Sequence, residues 1–283
     1  MSFLHSADID VTVMTPAILE RRSVVWANGN NNQSISALCL TSVGKHYIDI
    51  HVQTSTVSGQ PELPNEGGPT DRLEWGSAGG LETVSESLLP QHGFTRFLRA
   101  DIINDPSHIC EGDWFHVEAA NHYIERGHRP RRPTGHLTHY EEIWEHIPVQ
   151  PVKTGTTNLS IVLTACTPTA RGMVIRTAHV CQGILRINDE VTVERWCWKP
   201  RGSRGSRSGN WERVLRLGRL YLPCHLAMEA ERWPLRKDSL LEYDNLAWHV
   251  TEVDAFIWGT PGHYLTWTVD RNLPGIFGLH AWS

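Results

Sequence analysis

Four short stretches set imidazole or carboxylate beside indole or phenol at every second residue. They are Tyr47, Asp49 and His51; Trp114, His116 and Glu118; Tyr140, Glu142, Trp144 and His146; and Thr192, Glu194, Trp196 and Trp198. Alternation is the period of a β-strand, in which residues i, i+2 and i+4 share a face. Such a face offers acid–base groups next to flat apolar walls. Imidazole titrates near neutrality, so His51, His116 and His146 are the candidates for moving a proton or for hydrogen bonding to a carbonyl. Tyr47, Trp75, Trp114, Tyr140, Trp144, Trp196 and Trp198 are the candidates for walls that hold a small organic guest.

In an ordinary antiparallel sheet a polar face meets water. Water-facing strands rarely carry large indoles, however, and the opposite faces here, Ile48, Ile50 and Val52 or Phe115 and Val117, are apolar enough to be packed as well. Strands that need cover on both sides fit a closed or half-closed barrel with a polar-aromatic interior and an exterior packed on a second domain. The 12 Trp, as many as the 6 Tyr and 6 Phe together, point the same way.

The signatures of other chemistries are missing. The 16 His include no HExxH and no HxH, and the region holding His136, His139 and His146 reads as a solvated loop rich in His and Pro, so no metal is expected. Neither GxGxxG nor GxSxG occurs, which leaves a cofactor-free protein. The 6 Cys form no CxxC pair and read as small buried hydrophobes. A net charge of -5 offers no basic footprint for nucleic acid. No run of about eighteen apolar residues could span a membrane, and MSFLHSADID is not a signal peptide, so a soluble cytoplasmic protein is expected.

The elements that must position these faces are strands throughout. Ile35 to Ser42 and Tyr47 to Gln53 form a first pair around the turn Val43-Gly44-Lys45, and Leu73 to Trp75 and Leu81 to Val84 read as short strands around the glycines of GSAGG. Phe94 to Ile103, Asp113 to Ala119 and Tyr140 to Ile147 follow. Residues 1 to 33 read as a leading segment with little chemistry, and ERGHRPRRPTGHLTH as a long basic loop, because proline lacks a ladder donor. A Pro, Gly and Thr-rich stretch near Thr154 separates an N-terminal β-domain, 1–154, from a C-terminal one, 155–283. In the second, SIVLTAC, MVIRTAHV, VTVERWCW, Trp211 to Leu222 and Leu246 to Phe256 are strand-like, PRGSRGSRSGN is a hairpin loop, and the aromatic extension after Phe256 docks on the body or closes a pocket. The succession ISALCLTS then YIDIHVQ is echoed by SIVLTAC then MVIRTAHVCQGIL, which implies an internal duplication.

In order and spacing, SVGKHYIDIHV, LEWGSAGG, YEEIWEHIPV and RGMVIRTAHVCQGIL resemble segments of the fungal Hri family. That resemblance, spread over Ser34 to Val253, implies an all-β fold of two lipocalin-like antiparallel barrels or half-barrels. Some relatives are cofactor-independent hetero-Diels–Alderases of tropolonic sesquiterpenoid biosynthesis, and the Trp enrichment and aromatic tail are similar to that branch. The resemblance thus implies a pericyclase that joins an ortho-quinone methide to a macrocyclic sesquiterpene alkene. Indole walls would position the hydrocarbon, and an imidazole would donate to the heterodiene carbonyl. Its partners would be those small molecules, with a homo-oligomer allowed. The alternative is a non-catalytic binding or scaffold protein, for a small apolar ligand or a kinase, whose basic stretches at Arg126 to Arg132 and Arg201 to Arg207 form the working surface.

Overall fold

The computed structural model describes residues 16–27, 29, 34–57, 61–84, 94–101, 103–104, 109–117, 122–131, 135–152, 157–201, 208–257 and 265–267. The first half is a meander of eight strands: β1 (Ala17–Trp26), β2 (Ile35–Thr41), β3 (His46–Gln53), β4 (Leu73–Val84), β5 (Phe94–Asp101), β6 (Ile109–Val117), β7 (His122–Arg131) and β8 (His136–His146). Each strand pairs with the next, and β8 pairs back onto β1 to close a barrel. Closure leaves no unpaired edge in this sheet.

The second half repeats that order and stops short of closing. Strands β9 (Thr157–Cys166), β10 (Ala170–Thr177), β11 (Val180–Ile187), β12 (Glu190–Arg201) and β13 (Ser208–Leu217) form the meander, and β14 (Leu240–Tyr243) and β15 (Leu246–Ile257) a hairpin. The sheet runs β13-β12-β11-β10-β9-β15-β14, with β16 (Leu265–Trp267) also on β15. Strand β15 thus lies against β9 as β8 lies against β1. Between β13 and β14 comes a short helix, α1 (Cys224–Met228), whose Cys224, Ala227 and Met228 join the apolar core with Leu163, Val174 and Trp248. Arg176, 1% exposed, reaches this segment from β10. Its guanidinium donates to the carbonyls of Ala178, Ala227 and Met228 at 3.0, 2.9 and 3.2 Å and pairs with Glu231. The carbonyls that a helix C-terminus leaves unpaired are thereby satisfied.

Several elements differ from their sequence reading. Residues 73–84 form one strand, not two, and Gly76 is where it passes closest to the second sheet: a Cβ there would meet Ile184. The stretch read as a basic loop is most of β7 and the start of β8. Pro130 pairs with Leu137 at the hairpin end of the ladder, where a missing donor costs little. Residues read as a featureless leader include β1, which seals the barrel. Helix α1 and β14 are additional elements. The 1–154 and 155–283 boundary, the tip of PRGSRGSRSGN and most of the aromatic tail lie outside the described residues.

The two halves meet over a shared apolar layer. Ile48, Ile50 and Val52 of β3, with Leu38, Leu40 and Ala78, pack on Val162, Met173, Ile175, Ile184 and Val193. Polar side chains stitch its margins. Gln182 donates to the carbonyls of Leu38 and Ile48 at 3.1 Å each, Arg195 donates to Gln182 at 2.7 Å, and Thr177 donates to the carbonyl of Thr41 at 2.9 Å. The loop after β3 docks too, Asn65 bonding the Arg213 carbonyl at 2.6 Å and Gly68 bridging Gly218.

Glu252 of β15 closes the junction. Its carboxylate accepts from Ser42 Oγ at 2.7 Å, the Gly44 amide at 2.8 Å and Ser160 Oγ at 2.5 Å. Burial alone would raise its pKa, but these donors and His46 outweigh it and hold the carboxyl below its usual range. Gly44 is required here, since a Cβ would collide with Oε2 of Glu252. Glu252→Ala should therefore strand three donors at a buried seam. The expected loss, about 2–4 kcal/mol in urea denaturation, follows from one to three unsatisfied groups; a loss under about 0.5 kcal/mol would contradict this account of the seam.

Candidate functional site

The barrel interior carries charge as well as aromatic surface. Strand β8 turns Tyr140, Glu142, Trp144 and His146 inward, all buried, and β3 does the same with Tyr47, Asp49 and His51. Trp75 and Ser77 follow from β4, linked by Nε1–H donating to Oγ at 3.2 Å. The two central indoles, Trp114 and Trp144, stack at 6.0 Å and 29°, and Trp144 lies 6.0 Å from the His51 ring. Around them, Leu19, Ala37, Cys39, Leu81 and Tyr123 complete an apolar layer.

Glu142, 0% exposed, is the centre of the charge network. Arg21 Nη1 and Arg129 Nη2 each donate to its Oε1 at 2.5 Å. Burial pushes this carboxyl up, yet the Arg129 and Arg21 guanidiniums more than reverse the effect and hold it at about 2. Arg21 Nη1 also lies 3.2 Å from His51 Nδ1, and His51 Nε2 lies 3.0 Å from Asp49 Oδ1. Arginine can only donate, so Nδ1 accepts and the proton sits on Nε2, facing Asp49. Burial and then the nearby Arg21 lower the His51 pKa, against the pull of Asp49, which fits a neutral ring. Both ring nitrogens are therefore engaged.

A second group centres on Glu125. It accepts from Tyr140 Oη at 2.8 Å and pairs with Arg99 Nη2 at 2.8 Å. Burial raises its pKa, opposed by Arg99 and reinforced by Glu142. Arg99 lies over the Trp114 ring at 5.4 Å and the Tyr47 ring at 6.0 Å, and Arg129 over Tyr140 at 4.4 Å. Burial keeps the Tyr47 phenol protonated well above its ordinary pKa. Among the described residues, Arg21 and Arg129 thus share Glu142 while Arg99 pairs with Glu125 inside one barrel.

A cavity of about 10 Å³, walled almost wholly by apolar atoms, lies between Leu19, Cys39, Thr41, Tyr47, Leu81, Arg99 and Trp114. That is room for roughly one water molecule.

Of the residues singled out by sequence, Tyr47, His51, Trp75, Trp114, Tyr140 and Trp144 are gathered in this interior. His146 is on the same face of β8, 8% exposed. His116 lies on β6 opposite Tyr123, and its side chain falls outside the described residues. Trp196 and Trp198 belong to the second sheet and do not reach the barrel interior: Trp196 bonds Glu194 at 2.9 Å and Trp198 packs on Trp211 at 5.8 Å. His136 and His139 are exposed at the hairpin end of β8, remote from buried His146. Sequence reading missed Arg21, Arg99, Glu125 and Arg129. The alternation of Tyr123, Glu125 and Arg129 was available to find the last two, but the prolines beyond them suggested a loop.

Acid should destabilise this fold in a defined window. His146 and His179 are both brought down to about 4, His146 by burial and His179 by burial and then Lys199. Unfolded histidines take up protons that these two refuse, so stability falls as pH drops from about 6.5 and the loss is complete below about 4, at about 3 kcal/mol for each. Urea midpoints between pH 7.5 and 4 should slope less steeply in His146→Phe than in the wild type; equal slopes would remove His146 from the account. Glu142→Leu strands Arg21 and Arg129 without their shared counterion and is expected to cost about 3–5 kcal/mol in the same measurement at pH 7.5.

Among the described residues, no helix is long and apolar enough to cross a membrane. The fold is similar to that of the uncharacterized protein YLR301w from Saccharomyces cerevisiae, whose crystal structure superimposes with a TM-score of 0.61 at 18% identity, over 84% of this chain and 99% of that one. No curated protein matches the chain. The family model described as Protein HRI1 matches residues 17–252, from the first residue of β1 to the seam carboxylate Glu252, and the chain belongs to that family.

Proposed function

We propose that the barrel interior is the working site, and that the protein is a cofactor-independent pericyclase acting there on small molecules. The observation that carries this reading is the composition of that interior. Each buried ion costs several kcal/mol of desolvation, and the second half shows that this architecture can be filled with an apolar core and a helix instead. Departures of this kind from the cheapest core are where function is sought first.

The chemistry is the one the family resemblance implies. Loss of water from a hydroxymethyl tropolone or phenol gives an ortho-quinone methide. Its heterodiene then adds to a macrocyclic sesquiterpene alkene, forming one C–C and one C–O bond with no leaving group. Holding both partners in reacting geometry contributes up to roughly 7–11 kcal/mol. Tyr47, a protonated phenol on the cavity wall, would donate to the heterodiene carbonyl, with Trp114 as a flat wall of the same cavity. His51 is a poorer donor than its sequence position suggested, because both nitrogens are engaged. A site for such reactants needs a few hundred Å³, so the cavity must widen to admit the substrates.

The second reading, a non-catalytic binding or scaffold protein, is favoured by the same small cavity, since side chains that already fill a lumen need no guest. Purified protein incubated with a quinone-methide precursor and humulene separates the two. The cyclase reading expects product above the protein-free control, of one stereochemistry, falling ten- to a hundredfold in Tyr47→Phe. Product equal in amount and stereochemistry to the control overturns it, and quenching of Trp fluorescence by either reactant without turnover would establish binding alone.

A further inference from the structure

On the outer face of the β7–β8 hairpin, His128 and His139 stand directly opposite each other across the strand pair. Both are exposed, and their ring centroids are 5.1 Å apart with the planes at 71°. No sequence spacing announces the pair, because the two residues become neighbours only through the strand register.

The separation has a chemical meaning. A zinc–imidazole bond of 2.0–2.1 Å places the metal about 3.2 Å from each ring centroid, so two imidazoles at a tetrahedral or right-angled metal have centroids about 4.5–5.2 Å apart. The observed 5.1 Å lies within that interval. The separation of the two rings thus already matches that of two imidazoles sharing one ion. The neighbouring cation is already occupied: Arg126 Nε pairs with Glu141 at 2.7 Å and its guanidinium lies 4.8 Å over the Phe115 ring.

We propose that His128 and His139 form a two-imidazole site for a borderline first-row divalent ion, Zn²⁺, Ni²⁺ or Cu²⁺, with its remaining positions left to water or to a ligand from outside. Among the described residues no cluster of three or more His, Cys, Asp or Glu is arranged to hold a metal, so the site is a bidentate anchor and not a closed structural centre. Imidazole donors exclude Mg²⁺ and Ca²⁺ and should rank the others with Cu²⁺ tightest.

Calorimetric titration of ZnCl₂ and NiCl₂ into the full chain tests this. One saturable site is expected, weakened at least tenfold in His128→Ala and equally in His139→Ala, and unchanged in His136→Ala on the same hairpin. Because both ligands are exposed, the variants should keep the wild-type melting temperature, which circular dichroism checks. Absence of saturable binding in the wild type, or equal affinity in all four proteins, overturns the proposal.

Discussion

Strand β3 has no face left for water, and the rest of the molecule is arranged around that constraint. Ile48, Ile50 and Val52 are each 0% exposed against the second sheet, while Tyr47, Asp49 and His51 are 1–2% exposed inside the barrel. A strand buried on both sides cannot slip by one residue without exchanging its apolar and polar sets. The register of β3 therefore fixes both the barrel interior and the junction between the halves. Gly44 and Ser42, in the turn before β3, are also where Glu252 holds the second sheet. Packing at the junction and polar order in the lumen are two consequences of one strand.

Pairing makes the lumen tolerable. Arg21 and Arg129 share Glu142, Arg99 pairs with Glu125, and His51 bridges Asp49 to Arg21. Removing Glu142, Glu125 or Arg99 leaves a partner buried and uncompensated, a larger penalty than the net worth of the pair. The network is thus stiff towards mutation. Its cost is a reason to look for function inside this barrel before anywhere else on the molecule.

How much of this was legible in the sequence depended on whether alternation survived into three dimensions. β3 and β8 alternate without interruption, and both were read with the correct faces. β1 was not, for a physical reason: a bulge between Arg21 and Ser23 changes its parity. Leu19 and Arg21 face inward at odd positions, and Trp26, over Tyr140 at 6.0 Å, faces inward at an even one. No period-2 pattern spans such a bulge. Pro130 hid β7 in a similar way, since a strand-ending proline and a loop proline look alike until the hairpin is seen. The charge pairs were illegible for another reason. Arg21 and Glu142 are distant in the chain, and only barrel closure through β1 and β8 brings them within 2.5 Å.

The two halves began from a similar strand order and solved the problem of their interior differently. In the second half α1 packs on β9, β10 and β11 and extends their apolar core, and Arg176 is spent on that segment, bonding its carbonyls and Glu231. In the first half closure is complete, so no helix is needed to cover an open seam, and the space a plug would fill is taken by indoles, a phenol and paired ions. Full closure of one barrel is what releases its interior from the duty of sealing an edge. The closed barrel is the half whose interior sets paired arginines and carboxylates around stacked indoles.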